Sequence, residues 1–198
     1  MNCMKPSDAR ERLILAMTDA LQRRGLHGSG LTELLAAAGA PKGVLYHHFP
    51  GGKTELAVAA VEATVARLCV MLDERMASGD PAAALMAWVN GAQKRLAASG
   101  YEKGCPLATI ALETTQDDVE IRAALGQGFA AIRTRIAQAL ARAGYEARSA
   151  DSLAALMVAA YEGGLLQARA AGTPEPMNLV SDALLSLLTL HRPKDLDP

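Results

Sequence analysis

Aromatic side chains are scarce in this sequence: they form 4% of its 198 residues, whereas hydrophobic residues as a whole form 51%. Alanine, leucine and methionine supply most of the apolar mass, and these side chains lose little rotamer freedom in a helix. Apolar and polar residues nowhere alternate over a stretch long enough to indicate a sheet. The composition therefore favours an all-α fold.

Long apolar runs are also missing. No run reaches the ~18 residues that a membrane span needs, and the first residues lack the apolar core of a secretory signal. The three cysteines, Cys3, Cys69 and Cys105, are odd in number and widely spaced, which excludes a disulfide framework and a paired zinc signature. We therefore expect a cytoplasmic protein without a membrane partner, a bound metal or a cofactor.

The charge is nearly balanced overall, at −1, but it is unevenly distributed. Residues 1–60 carry seven basic and five acidic side chains, whereas the remainder carries 13 basic and 16 acidic ones. This asymmetry permits an N-terminal region that faces DNA, without establishing one.

Apolar residues recur every three or four positions, as on one face of a helix. One such series is Ile121, Leu125, Phe129, Ile132, Ile136 and Leu140. Glycine and proline separate the periodic segments, and the pattern predicts nine helices, at 7–24, 31–38, 42–48, 52–78, 81–99, 105–115, 118–143, 149–171 and 175–190. Three shorter helices precede the long ones, which indicates a small N-terminal domain at 1–51 and a six-helix bundle at 52–198.

The ends of these segments carry suitable capping residues. Ser7, Asp80, Asp117 and Ser149 stand where N-caps are expected. Pro81 and Pro106 suit the first turn of a helix, where the missing N–H costs nothing.

Residues 31–49 read LTELLAAAGAPKGVLYHHF and predict a helix-turn-helix. Gly39 is suited to a left-handed helix terminus, Ala40-Pro41 makes the turn, and a second helix starts at Lys42. This geometry places the second helix in the major groove of DNA. The positions expected to face inward and set the angle between the helices are Leu34, Ala38, Leu45 and Phe49.

Other residues of the same segment are expected to face DNA. They are Thr32, Lys42, Gly43, Val44, Tyr46, His47, His48 and Lys53. Gly43 allows a close backbone approach, Val44 suits a thymine methyl group, and the tyrosine and histidines reach phosphate oxygens. Lys53 begins the next helix, where it would neutralise a phosphate beside the helix amides.

The stretch AGAPKGVLYHHFPGGKTEL closely resembles a pattern of the TetR family. In that pattern Ala-Gly and a short turn are followed by Gly, an apolar pair, Tyr, a His before Phe, and then Lys-x-x-Leu. The extra glycine of PGGK, with Gly104-Cys105-Pro106, is similar to the subgroup named for the lincomycin-resistance regulators. The resemblance implies a homodimeric regulator that binds a palindromic operator on double-stranded DNA. It also implies a repressor released by a small apolar inducer, although the sequence leaves activation open.

The resemblance places an inducer pocket among the helices of residues 52–171. Methionine and aromatic side chains adapt well to ligands, although in most proteins they simply fill the core. The residues expected to line the pocket are Met86, Trp88, Leu112, Phe129, Met157, Tyr161 and Glu162.

A dimer face is expected on the last two helices. Ala155, Ala159 and Gly163 recur every four residues and would let a partner helix approach closely. The leucines expected to join them are Leu184, Leu187 and Leu188.

Two other classes of protein are alternatives to a DNA-binding regulator: an enzyme, and a helical protein that does not bind DNA. An enzyme is disfavoured, because no catalytic set is readable. Gly52-Lys53-Thr54 lacks the first glycine and the upstream strand of a P-loop, and adjacent His47 and His48 diverge by about 100° on a helix, which does not suit a metal. The alternative is a helical ligand-binding or scaffold protein that does not bind DNA. The presence of Tyr46, His48 and Lys53 argues against this alternative.

Overall fold

The computed structural model describes residues 8–77 and 80–191, and within those ranges every regular element is an α-helix. The helices are α1 (Ala9–Arg24), α2 (Leu31–Ala38), α3 (Lys42–His48), α4 (Gly52–Met76), α5 (Pro81–Ala98), α6 (Pro106–Ala111), α7 (Val119–Arg142), α8 (Ala147–Ala171) and α9 (Glu175–Leu190). The all-α prediction is confirmed. None of the described helices is both long and apolar enough to cross a bilayer.

Capping explains several helix boundaries. The Asp80 carboxylate accepts hydrogen bonds from the N–H groups of Ala82 and Ala83, at 2.9 and 3.2 Å, as the sequence predicted. The predicted cap at Ser149 is wrong: α8 begins earlier because Glu146 accepts from the N–H groups of Arg148 and Ser149. These two bonds also lower the pKa of Glu146.

Two further cap predictions had different outcomes. The predicted cap at Asp117 is wrong as well, because α7 starts at Val119 and the neighbouring Asp118 bonds back to Thr115. Ser7 lies outside the described residues.

The chain divides into two compact units. The first comprises residues 1–64 and 105–128, and the second comprises residues 65–104 and 129–198. Helices α4 and α7 each contribute residues to both units. The first unit is therefore larger than the domain expected at 1–51, since it includes α6 and the first turns of α7.

In the first unit, α1 packs against α2, α3 and α6. The side chains that close this core are all almost fully buried: Leu13, Met17, Leu21, Leu34, Leu45, Phe49, Leu56, Leu107 and Ile110. Three short helices thus share one long partner, so α1 is the element that holds α2 and α3 in place.

In the second unit, α8 packs on α9, and α5 packs on both. Gly164 lets α8 approach α9 closely, because a Cβ there would lie 2.9 Å from the Met177 sulfur. Leu184 and Leu188 are only 3% and 2% exposed within the chain itself. The expectation that these two leucines face a partner is therefore wrong: they belong to the core of their own subunit.

Tyr145 fastens the end of α9. Its buried hydroxyl donates a hydrogen bond to the Leu188 carbonyl at 2.9 Å.

We expect Tyr145→Phe to lower the free energy of unfolding by about 1–2 kcal/mol, because a carbonyl near the end of α9 loses its donor. Urea denaturation measures this change. Tyr101→Phe is the control, because it deletes the same hydroxyl from a half-exposed ring. Equal effects of the two substitutions would contradict the role given to Tyr145.

Candidate nucleic-acid interface and ligand site

The turn between α2 and α3 depends on Gly39. Its backbone is left-handed, with φ 57° and ψ 40°. Residues that carry a Cβ rarely adopt this conformation. The N–H groups of Gly39 and Ala40 donate to the carbonyls of Ala36 and Leu35, which ends α2. Pro41 then stands in an extended conformation immediately before α3. A turn of three residues therefore separates α2 from α3.

The four positions predicted to face inward, Leu34, Ala38, Leu45 and Phe49, are all buried, so that prediction is confirmed. Helix α1 adds two contacts. The Arg12 Nε donates to the Ala38 carbonyl at 3.0 Å, and the Arg10 guanidinium lies 5.4 Å from the centre of the Phe49 ring. Helix α1 thereby contacts the end of each of the two motif helices.

The opposite face of α3 is open. Lys42, Gly43, Tyr46 and His47 are exposed, and Val44 and His48 are partly exposed. A Cβ added at Gly43 would meet no atom within 4 Å. The Lys42 ammonium lies 5.9 Å from the Tyr46 ring centre. A continuous strip of basic, aromatic and backbone groups therefore faces outward, in the arrangement predicted for contact with DNA.

Thr32 and Lys53 flank this strip in sequence. Thr32 is exposed in the first turn of α2. Lys53 is half-buried, and its Nζ donates to the Leu26 carbonyl at 2.6 Å. Burial lowers the pKa of Lys53, and the negative charge of Glu113 partly offsets that effect. Lys53 therefore makes a contact within the protein that sequence reasoning did not foresee.

Glu113 is the residue that sequence reasoning missed. Its Oε2 accepts hydrogen bonds from the N–H groups of Leu26 and His27, at 2.5 and 3.1 Å. In the sequence, Glu113 stands close to Asp117, Asp118 and Glu120, and such an acidic cluster is typical of a solvated surface. Since 87 residues separate it from Leu26, no local pattern could have indicated the contact.

The structure brings together two of the residues predicted to line a ligand pocket. The rings of Trp88 and Tyr161 stack, with centroids 4.1 Å apart and an angle of 18° between their planes. Trp88 is 2% exposed, and its Nε1 has no hydrogen-bond partner among the described residues. A buried indole N–H normally has a partner. The unused donor therefore favours a ligand or water at this position.

The other predicted pocket residues differ in their surroundings. Met157 is fully buried on α8, one turn before Tyr161, and Met86, Phe129 and Glu162 are partly buried in the second unit. Leu112 belongs to the first unit and is 79% exposed, so its surroundings give no support to a pocket role.

A surface depression of about 340 Å³ also lies along α4 in the second unit. The residues around it are Ala66, Arg67, Val70, Met71 and Glu74, none of which belongs to the predicted pocket. Within the described residues, no group of three or more histidine, cysteine, aspartate or glutamate side chains is placed to hold a metal ion.

The chain matches two family descriptions. Residues 13–60 match the bacterial regulatory proteins of the TetR family. Residues 81–183, about half of the chain, match the C-terminal domain of LmrA/YxaF-like transcriptional regulators.

Individual relatives cover most of the chain. The transcriptional regulator LmrA of Bacillus subtilis is 29% identical over 186 residues, which are 93% of this chain and 99% of LmrA. The transcriptional repressor NemR of Escherichia coli is 29% identical over 142 residues, 71% of each chain. The crystal structure of regulatory protein TetR from Rhodobacter sphaeroides superposes with a TM-score of 0.81 at 28% identity, and covers 91% of this chain and 98% of that one. The chain therefore belongs to the TetR family of DNA-binding transcriptional regulators, in its LmrA/YxaF-like group.

Proposed function

We propose that this protein is a repressor that binds a palindromic operator as a homodimer and is released from it by a small, largely apolar molecule. The observation that carries the proposal is the open face of α3, which Leu45 and Phe49 anchor from behind. The relative NemR is named a repressor, which supports that direction of regulation.

Each residue of α2 and α3 that is predicted to contact DNA has a role in this proposal. Lys42 neutralises a phosphate, and Thr32, Tyr46, His47 and His48 donate to phosphate oxygens. Val44 contacts a thymine methyl group, and Gly43 lets the backbone of α3 approach the bases. Lys53 supplies further positive charge at the start of α4. In the dimer, the two copies of α3 would lie one DNA turn apart, roughly 34–36 Å.

Gly43→Ala tests DNA binding with little risk to the fold. Because a Cβ there meets no atom within 4 Å, and alanine favours a helix over glycine by roughly 0.5–1 kcal/mol, we expect thermal stability to hold or rise. Affinity for the operator should nevertheless fall about tenfold or more, since the methyl group occupies the space that a base edge needs. Footprinting of the gene's own upstream region, followed by fluorescence anisotropy, measures the binding.

Gly126→Ala is the matched control, because Gly126 lies exposed on α7, also with nothing within 4 Å of an added Cβ. It should leave operator binding unchanged. Unaltered binding by Gly43→Ala would remove α3 from the interface. The absence of any salt-sensitive, two-half-site protection by the unaltered protein would instead favour a ligand-binding bundle that does not bind DNA.

A homodimer is supported by the outer faces of α8 and α9. Four large leucine side chains are exposed there: Leu156, Leu166, Leu179 and Leu190. Ala155 and Ala159 are also exposed, and an added Cβ at Gly163 would meet nothing within 4 Å. Exposed apolar side chains beside a strip of small residues suit close packing against a second helix pair.

Gly163→Leu should therefore break the dimer while the subunit remains folded. The Cβ of the added side chain meets no atom within 4 Å in its own chain, whereas the leucine would overfill a close contact with a partner helix. Analytical ultracentrifugation at micromolar concentration would show the change from dimer to monomer. Gly126→Leu should leave the dimer intact, and a monomeric unaltered protein would refute the dimer.

The proposed ligand site centres on the stacked rings of Trp88 and Tyr161. The neighbouring Met157 on α8 is apolar and fully buried, and the buried Trp88 Nε1 requires a hydrogen-bond acceptor. A ring-containing molecule that bears a carbonyl, carboxylate or sulfonate group meets both requirements. Since Trp88 is the only tryptophan of the chain, its fluorescence reports on the site directly.

Trp88→Phe should separate a ligand site from plain core. Phenylalanine can still stack on Tyr161 but has no N–H. Binding of 8-anilinonaphthalene-1-sulfonate, an aromatic sulfonate, should weaken about 3- to 10-fold, as expected for the loss of one hydrogen bond. The melting temperature should also fall, because the smaller ring leaves space at a buried position. Dye fluorescence and thermal denaturation provide the pair of measurements. A lower melting temperature with unchanged dye affinity would show that Trp88 only fills the core.

A further inference from the structure

A backbone cradle in the α1–α2 turn holds the carboxylate of Glu113. Two consecutive amides, those of Leu26 and His27, donate to Glu113 Oε2. Gly25, immediately before them, has φ 75° and ψ −172°, a conformation that is essentially restricted to glycine. Consecutive N–H groups in such a turn form a concavity that attracts anions. The turn is thus shaped to bind a carboxylate, and Glu113 supplies it.

Gly25 also leaves the space that the carboxylate fills. A Cβ at this position would collide with Glu113 Oε1, and would lie 2.5 Å from the carboxyl carbon. The turn is braced from within by Ser29, whose buried hydroxyl donates to the Gly25 carbonyl at 2.7 Å. Both the backbone and the vacant side-chain volume therefore fit this one group.

The same peptide segment is held from its other side by Lys53. Glu113 accepts from the Leu26 N–H, while the Lys53 Nζ donates to the Leu26 carbonyl at 2.6 Å. We call Glu113, Leu26 and Lys53 the Leu26 clamp. Glu113 follows α6, Leu26 follows α1, and Lys53 lies in the first turn of α4, so the clamp joins three segments of the first unit.

The position of the clamp connects it to the DNA-facing strip. Residues 25–30 lead directly into α2, which carries Thr32 and buries Leu34 in the first unit, where α1 packs against both α2 and α3. Lys53 lies in the first turn of α4, shortly after α3. Charge-assisted hydrogen bonds are short and directional, so a displacement of α6 would pull on the turn or break these contacts. The entry to α2 and the start of α4 would then lose a common support.

We propose that Glu113 is a positioning residue for operator binding: it holds the α1–α2 turn and Lys53 in the arrangement in which α2 and α3 meet DNA. This inference rests on the proposed operator binding. It also gives α6 a direct means of regulation, because any change that withdraws Glu113 from the turn lowers the affinity for DNA.

Glu113→Ala tests the proposal, since it removes both the acceptor and the charge. We expect the Kd for the operator to rise about tenfold at a fixed salt concentration, although loss of a negative charge by itself strengthens binding to DNA. The amides of Leu26 and His27 should exchange with solvent about tenfold faster or more, as measured by NMR. Glu113→Gln keeps one acceptor oxygen, so its effects should be smaller, about threefold.

Asp117→Ala is the matched control. Asp117 is an exposed carboxylate in the same α6–α7 segment, so its removal reports the effect of charge alone and should leave binding unchanged or slightly tighter. The proposal would be overturned if Glu113→Ala had the same affinity for the operator as Asp117→Ala and the Leu26 and His27 amides stayed protected from exchange. If Glu113→Ala fails to fold, as judged by circular dichroism, Glu113→Gln decides by the same two measurements.

The two proposals fail in different ways. An unaltered protein that binds no upstream DNA overturns the operator function, and with it the role of Glu113 in binding. An unaltered protein that binds its operator as tightly as Glu113→Ala overturns the positioning role alone.

Discussion

The left-handed backbone at Gly39 is the constraint on which the proposed DNA-binding surface depends. A Cβ at this residue would meet no atom within 4 Å, so space does not require glycine here; the positive φ of 57° does. With this one residue in place, a three-residue turn joins α2 to α3, and Leu34, Ala38, Leu45 and Phe49 are all buried. The polar face of α3 is exposed because its apolar face is occupied in this way.

Features that depend on residues close together in the sequence could be predicted. The bounds of α2, α3 and α9 match the structure residue for residue, because glycine, proline and apolar spacing mark those ends locally. Errors appear where a nearby polar side chain bonds the helix terminus. Glu146 starts α8 two residues earlier than expected, and the Thr114 hydroxyl donates to the Ala111 carbonyl where α6 ends, instead of continuing to residue 115.

Contacts between segments that are distant in the sequence could not be predicted. An acidic residue near a helix junction is usually solvated, and nothing around Glu113 in the sequence distinguishes it from Asp117. Its partners become visible only when α6 packs against α1. Lys53 illustrates the same limit, since its charge was readable but its hydrogen bond to Leu26 was not. Leu184 and Leu188 were misassigned because one apolar stripe can face either a partner or a neighbouring helix of the same chain.

The burial of Leu184 and Leu188 within one subunit has a consequence for assembly. Helices α8 and α9 close against each other, with Gly164 beside Met177 and the Tyr145 hydroxyl on the Leu188 carbonyl, so these contacts do not depend on a second chain. In the proposed homodimer, association would then join subunits that are already folded, as a bimolecular step separate from folding. The concentration of dimer at low expression would vary with the square of the subunit concentration, and dilution would release folded monomers rather than unfolded chains.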